Sequence, residues 1–373
     1  MHPRHVYVHV PFCARRCAYC DFSIAVRKTV PVDEYIGALS RELAVRFAGA
    51  KPWIVDTLYF GGGTPSRLGA DGVARAIVAV RDHIALAQGA ELTLEANPED
   101  ISADAVSRWR DAGVNRLSIG AQSFDDAVLK WMHRTHDASA IRRAFDTARR
   151  AGIENISLDL IFALPDAVDR SWDRDVVSAL ELEPSHISLY GLTVEPHTPL
   201  GRWRSRGELD EAPDERYERE FLLAHDTMTA AGLEHYEVSN FGRAGFRSRH
   251  NSAYWTEAPY AGLGPSAHEF DGVARRWNRS AYVDWLRALE AGRDPIEQSE
   301  TLTDENKTAE RTYLGLRTEA GLTLSDAEIE RTKRWVEAGW ADLSADRRLR
   351  LSPLGWLRLD ALAADLTLLR SRY

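Results

Sequence analysis

From Val6 to about residue 235 the chain alternates between two hydrophobic rhythms. Short runs rich in β-branched residues are followed by longer stretches whose apolar positions recur every three or four residues. The short runs Val6–Val10, Thr57–Phe60, Glu91–Glu95, Arg116–Gly120, Ser157–Phe162 and His186–Leu192 predict strands. The longer ones, Asp33–Phe47, Asp71–His83, Ala103–Ala112, Ala138–Ala151 and Trp172–Leu182, predict amphipathic helices between them. Gly113 after Arg110-Asp-Ala and Gly152 after Arg149-Arg-Ala stand where a helix needs a left-handed C-terminal cap. Strand and helix in repeated alternation imply parallel strands joined by right-handed crossovers, and six such strands make three quarters of an eightfold barrel. The expected fold class is therefore α/β, a partial (β/α)6 TIM-like barrel with a smaller, mainly helical C-terminal domain.

Past residue 235 the rhythm breaks. Tyr236–Gly242 predicts one more strand, Arg247–Trp255 is densely polar and aromatic, and Tyr260–His268 is rich in glycine. From Thr303 the pattern turns helical, with Thr303-Asp-Glu-Asn306 as a start signal and Leu343–Leu354 as a small β-wing or turn. The expected division is a barrel over 1–235, a connecting segment over 236–300 and a mainly helical domain over 301–373.

Composition narrows the function classes. A chain of 373 residues fits one large domain plus a smaller one, and its 44% hydrophobic and 28% charged residues describe an ordinary globular protein. A net charge of -9 argues against a general nucleic-acid binder. No apolar run approaches a membrane span, although peripheral membrane contact stays compatible. The first residues run straight into a strand, which leaves no room for a secretion signal and points to the cytoplasm.

The chemistry begins in one loop. All three cysteines, Cys13, Cys17 and Cys20, lie within eight residues. An odd, clustered set cannot pair internally, and the spacing C-x3-C-x2-C lets three thiolates converge on one inorganic centre. Three thiolates on a four-iron cluster leave one iron open to a small molecule. The alternative on the same residues is a structural zinc site completed by His5 or His9, but a single knuckle with no histidine at a ligand spacing after Cys20 favours iron-sulfur. A reduced iron-thiolate site also suits a reducing compartment.

Polar residues recur at the predicted strand ends. Gly61-Gly-Gly-Thr-Pro65 follows the second strand, Glu95 and Asn97 end the third, Gln122 follows the fourth and Asp159 lies in the fifth. In a parallel barrel these ends share one mouth, so the residues are expected in one pocket. The glycine run also reads as a tight turn. Glu95 and Asp159, set between apolar neighbours, also read as halves of buried salt bridges. His250, beside Arg247, Arg249, Tyr254 and Trp255, reads equally as a hydrogen-bonded packing residue.

With Cys13-x3-Cys17-x2-Cys20 preceded by Tyr7-Val-His-Val-Pro-Phe, the glycine motif, Ser118-Ile-Gly-Ala-Gln-Ser-Phe124 and Asp159-Leu-Ile-Phe-Ala-Leu-Pro165, the chain resembles the radical S-adenosylmethionine (SAM) superfamily. Within it, the chain is similar to the oxygen-independent coproporphyrinogen III oxidase-like group. Two features separate the branches. The oxidase carries a further cysteine where Phe22 stands, and a long segment before the cluster where this chain has twelve residues. His250-Asn-Ser-Ala-Tyr-Trp255 with Asp21-Phe22 resembles instead the HemW heme-chaperone branch, which binds heme and passes it to hemoproteins.

The resemblance implies that Cys13, Cys17 and Cys20 hold a [4Fe-4S] cluster whose open iron takes the amino and carboxylate groups of SAM. It implies Gly62, Gly63 and Thr64 along the methionine moiety, Glu95 near the SAM amino group, Arg134 on the SAM carboxylate, and Gln122 and Asp159 at the ribose. Tyr7, Tyr19, Tyr190 and Thr193 fall at other SAM-contacting positions. His250 is the leading heme contact and His268 the second choice. Two positions depart from the pattern, His133 and Ala163, where glycine is common. The implied partners are SAM, heme, acceptor hemoproteins and a reducing electron donor. Where SAM is cleaved, one electron from the reduced cluster splits its sulfonium C–S bond into methionine and a 5′-deoxyadenosyl radical. The rival function is oxidative decarboxylation of coproporphyrinogen III, whose four carboxylates would call on Arg247 and Arg249. A third reading is a radical SAM methyltransferase or cyclopropane-forming enzyme.

Overall fold

The computed structural model describes residues 2–49 and 51–370. Six parallel strands follow one another in space as they do in sequence: His5–Val10, Trp53–Gly62, Ile84–Ala96, Arg116–Gln122, Asn155–Phe162 and His186–Gly191. The helices Val32–Arg46, Gly69–Arg81, Ala103–Asp111, Ala138–Arg150 and Trp172–Leu180 cross between them. The predicted partial barrel is therefore present.

Period-two alternation explains why it forms and where its chemistry lies. One set of side chains, Val6, Val8, Val10, Leu58, Phe60, Leu92, Leu94, Leu117, Ile119, Leu158, Leu160 and Ile187, is buried in the main apolar core with the helices. The alternate set is polar: Tyr7, Tyr59, Glu95, Ser118, Asp159 and Ser188, with Tyr7 facing Tyr59 and Asp159 facing Ser188 across the register. Closed parallel barrels usually fill both faces with aliphatic side chains. Here only the outer face is apolar, and the inner face carries hydroxyls and carboxylates. The helices anchor the outer layer: Trp109 on Ala103–Asp111 is fully buried, and its truncation to alanine would cost about 3–5 kcal/mol.

The segment 236–300 behaves differently from the expected connector. In place of one strand over Tyr236–Gly242 there is a hairpin, Glu234–Glu237 and Asn240–Gly242, whose second arm pairs antiparallel with the sixth barrel strand. At the opposite edge Tyr260–Leu263 pairs in parallel with the first strand, and His268–Phe270, Ala274–Asn278 and Ile296–Thr301 add antiparallel strands beyond it. The segment thus extends both edges of a twelve-stranded sheet. Its helix Arg249–Trp255 is seated by Glu91, whose two carboxylate oxygens accept from the Arg249 and His250 N–H groups at 3.1 and 2.9 Å. That arrangement satisfies the orphan donors of a helix N-terminus with a charge of the right sign.

The C-terminal region packs the helices Asp304–Arg317, Asp326–Glu337 and Leu359–Arg370 around a small antiparallel sheet of Leu322–Thr323, Arg348–Leu351 and Ala341–Leu343. The start signal at Thr303 is a capping box with Asn306, and Ser325 with Glu328 forms a second. The predicted wing near Leu343–Leu354 holds the central strand of this sheet, Arg348–Leu351, and is closed by the short helix Pro353–Trp356. No helix among the described residues is long and apolar enough to cross a membrane.

Candidate functional site

The cysteine loop leaves the first strand and is stitched back onto the barrel mouth. The Ala18 N–H donates to Met132 O at 3.1 Å, Ala18 O accepts from the Leu200 N–H at 3.0 Å, and the Arg27 N–H donates to Cys13 O at 3.0 Å. Ala18 is fully buried against Val194, Leu200 and Leu209, so a small residue is required between the second and third cysteines. The loop closes one side of a cavity of about 470 Å³ at the carboxyl ends of the strands. Cys13, Cys17, Tyr19, Cys20, Gly62, Gly63, Thr64, Glu95, Gln122, Arg134, Asp159, Tyr190 and Thr193 all line it. These side chains come from every barrel strand end, as the shared mouth predicts.

The three thiols are free and half-buried. Cys13 Sγ lies 3.4 Å from Thr64 Oγ1, and Arg134 Nη1 donates to Cys17 Sγ at 3.5 Å. Burial pushes the Cys13 thiol up and the Cys20 thiol up to about 11. Burial therefore favours the protonated form at Cys13 and Cys20, and a bound cation such as cluster iron is what would hold these two as thiolates. Among the described residues no three His, Cys, Asp or Glu side chains close on a single point as around one metal ion. The donors are sulfurs spaced along one cavity wall, a set that suits a multi-iron cluster.

Arg134 is clamped at the cavity wall. Its Nη2 donates to Asn97 Oδ1 at 2.7 Å and to Gly120 O at 2.9 Å, while its buried Nε has no partner. Gly120 makes this possible, because a Cβ there would stand 2.9 Å from Gln122 Nε2 and 3.1 Å from Arg134 Nη2. Asn97 and Gly120 fix the guanidinium, a role that the fold gives them.

Two carboxylates form the floor. Glu95 accepts from Tyr59 Oη at 2.8 Å and from the Gly62 N–H at 3.0 Å, and Asp159 accepts from Ser118 Oγ at 3.0 Å. Burial lifts Glu95 to about 7 and Asp159 to about 6, and their mutual repulsion adds to the rise at Glu95. Among the described residues neither has a salt-bridge partner, so the reading of each as half of a buried salt bridge does not hold. A cationic ligand entering the cavity would supply the missing charge. Gly62 sits at φ +110°, and its backbone lies so close to His9 that a Cβ would be 2.5 Å from the ring. Only glycine presents its N–H to Glu95 there.

Two expected contacts lie elsewhere. Tyr7 is one layer below the cavity, its hydroxyl 3.1 Å from His9 Nδ1 and its ring 6.0 Å from Tyr59, and it does not line the mouth. His250 is 1% exposed near the opposite end of the barrel, with Nδ1 2.7 Å from Thr57 Oγ1, Nε2 2.8 Å from Tyr254 Oη, and its ring stacked on Tyr59. Burial holds it neutral, its pKa down at about 3. Both ring nitrogens are committed and no lone pair faces open space, so in this structure His250 is a packing residue, which corrects its expected role as the leading heme contact. His268 is exposed and stacked on Trp277, away from the cavity. Arg247 is paired with Glu234 and Glu319, and Arg249 donates to Gly89 O. Neither arginine reaches the mouth, so the converging set that the oxidase reading needs is not assembled from them.

His133 and Ala163, the two departures from glycine, adopt φ +61° and +56°. The backbone keeps the glycine-like conformation despite the side chain. Gln122 shares it at φ +69°.

Residues 7–176 match the family model of the radical SAM superfamily. The chain is 37% identical over 330 residues to the heme chaperone HemW of Synechocystis sp., covering 86% of this chain and 79% of that protein. It is 37% identical over 370 residues to the heme chaperone HemW of Mycobacterium tuberculosis, covering 98% and 95%. With the heme chaperone HemW of Escherichia coli it shares 39% over 267 residues, 71% and 70% of the two chains. Among solved structures, coproporphyrinogen III oxidase (HemN) from Escherichia coli superposes with a TM-score of 0.82 at 22% identity, covering 98% of this chain and 90% of that one, a likeness of fold. By sequence along nearly its whole length, the chain belongs to the HemW family of radical SAM proteins.

Proposed function

We propose that this protein binds heme and delivers it to hemoproteins, and that it carries a [4Fe-4S] cluster on Cys13, Cys17 and Cys20 with SAM in the adjoining cavity. The observation that carries the choice of branch is Phe22. It lines the cluster cavity, stands where the oxidase branch has a cysteine, and is 59% exposed. A large apolar ring held open at a cavity mouth is unfavourable in water and suits a flat apolar ligand.

When bound, the cluster and SAM together supply one-electron cleavage of a sulfonium C–S bond. The protein's part is placement. Arg134, fixed by Asn97 and Gly120, presents a guanidinium edge for the SAM carboxylate, where a rigid donor fork outperforms a lysine. Glu95 offers the amino group a carboxylate already oriented by Tyr59 and Gly62. Gln122 and Asp159 would face the ribose, and Tyr19, Thr64, Tyr190 and Thr193 line the same cavity. The acceptor is a hemoprotein, the reductant a low-potential electron donor, and the cytoplasm the compartment that keeps the cysteines reduced.

The oxidase reading needs several arginines converging on four carboxylates. The cavity is lined by Arg15 and Arg134 alone among the arginines of the described residues, and Arg134 is already engaged. The test is anaerobic reconstitution followed by hemin titration. One heme per chain, bound tightly in the Soret spectrum, is expected; failure to bind heme would sink the proposal.

A further inference from the structure

Among the described residues one imidazole lines the cluster cavity, that of His133. It stands at the turn that ends the helix Asp126–Trp131, its backbone N–H held by Lys130 O at 3.1 Å. Neither ring nitrogen has a hydrogen-bond partner among the described residues, in contrast to His250, where both are occupied. The backbone at His133 is left-handed, φ +61°. A non-glycine residue costs about 1–2 kcal/mol in that conformation. A histidine kept against such a preference beside a cavity is the kind of local strain that marks function.

The surroundings fit one class of ligand. The Trp203 indole meets the His133 ring edge to face at 5.8 Å, and Trp131 lies 6.3 Å from Trp203. Both tryptophans are half-buried beside His133, packed on the apolar cluster of Ala18, Val194, Leu200 and Leu209, and the exposed apolar ring that lines the cavity with His133 is Phe22. Arg15, on the cysteine loop, lines the same cavity and donates to Arg134 O at 3.4 Å, next to His133. It is exposed and forms no salt bridge among the described residues. A free imidazole, aromatic edges and an unpaired guanidinium are what an iron porphyrin with ionised propionates requires.

We infer that His133 supplies the axial ligand to heme iron, with Phe22 against the macrocycle and Arg15 on a propionate. The inference rests on the heme-binding reading and names its site. It brings the heme to the same cavity that Arg134 and Cys17 line.

His133→Gly is the suitable variant, because it removes the imidazole and suits the positive φ, so the fold survives. Hemin is titrated into the cluster-loaded full chain of the wild type, His133→Gly and His268→Ala, with the Soret band and the electron paramagnetic resonance of the ferric heme recorded. The wild type is expected to show a histidine-ligated ferric heme. His133→Gly should lose that signature and bind at least about tenfold more weakly, and added free imidazole should restore the spectrum. His268→Ala should match the wild type. An unchanged spectrum and affinity in His133→Gly, or loss of the signature in His268→Ala, overturns the assignment while leaving heme binding intact. A wild type that binds no heme overturns the heme reading itself and this site with it.

Discussion

Replacing Glu95 by glutamine separates what the cavity costs the fold from what it does for a ligand. The carboxylate has two donors, Tyr59 Oη and the Gly62 N–H, and no cation. An amide keeps both contacts, since its oxygen can accept from Gly62 and its NH2 can donate to the tyrosine oxygen. Only the charge is lost. Burial lifts Glu95 from an ordinary 4.5 to about 7. That rise corresponds to roughly 3 kcal/mol against the ionised form, and water in the open cavity screens it to about 1–3 kcal/mol. The sign follows from linkage: a folded pKa above the unfolded one stabilises the fold below pH 4.5, and that stability is lost as the pH climbs through about 7. Urea unfolding of the cluster-free chain should therefore find Glu95→Gln more stable than wild type by about 1–3 kcal/mol at pH 8, with most of the gap gone at pH 5. Calorimetric titration of the cluster-loaded protein should show the opposite cost. Without the carboxylate for its ammonium group, SAM should bind weaker by roughly 2 kcal/mol, or about 30-fold. A variant that is less stable at pH 8, or one that binds SAM as the wild type does, would refute the reasoning.

Asn97→Ala removes one of the two acceptors of Arg134 Nη2 and should weaken SAM binding about tenfold by calorimetry, with the cluster's electron paramagnetic resonance retained. Ala163→Val places a β-branched residue at φ +56° in a buried turn and should lower stability by at least about 2 kcal/mol in urea unfolding.

The barrel was readable because its signals are local. The helix over residues 103–111 shows this well: Ser102 caps its start by accepting from the Ala105 N–H, and Gly113 ends it at φ +110°. Both signals are visible as residue types. The second and third strands run longer than expected because Trp53–Val55 and Ile84–Leu86 pair with each other before a register shift, and of the two only the stretch from Ile84 departs from alternating burial. The fate of 236–300 was hidden for another reason. Tyr260–Leu263 pairs with a strand some 250 residues away in sequence, and no local pattern encodes that partner.

The site was legible for a related reason. Its residues sit at strand ends, and parallel topology gathers strand ends at one mouth. What sequence could not decide was commitment. Whether an imidazole is free depends on what folds against it, and Thr57 and Tyr254 claim His250 while nothing among the described residues claims His133. Tyr7 was misplaced by one layer, because its strand carries it inward but below the floor that Glu95 and Gly62 form.

Heme carriage is tested most directly by transfer. The heme-loaded, cluster-containing protein is mixed anaerobically with apomyoglobin, and separately the heme-free protein is given coproporphyrinogen III, SAM and dithionite. Heme delivery predicts a myoglobin Soret spectrum in the first mixture and no protoporphyrinogen in the second. Retention of the heme together with stoichiometric decarboxylation would contradict it.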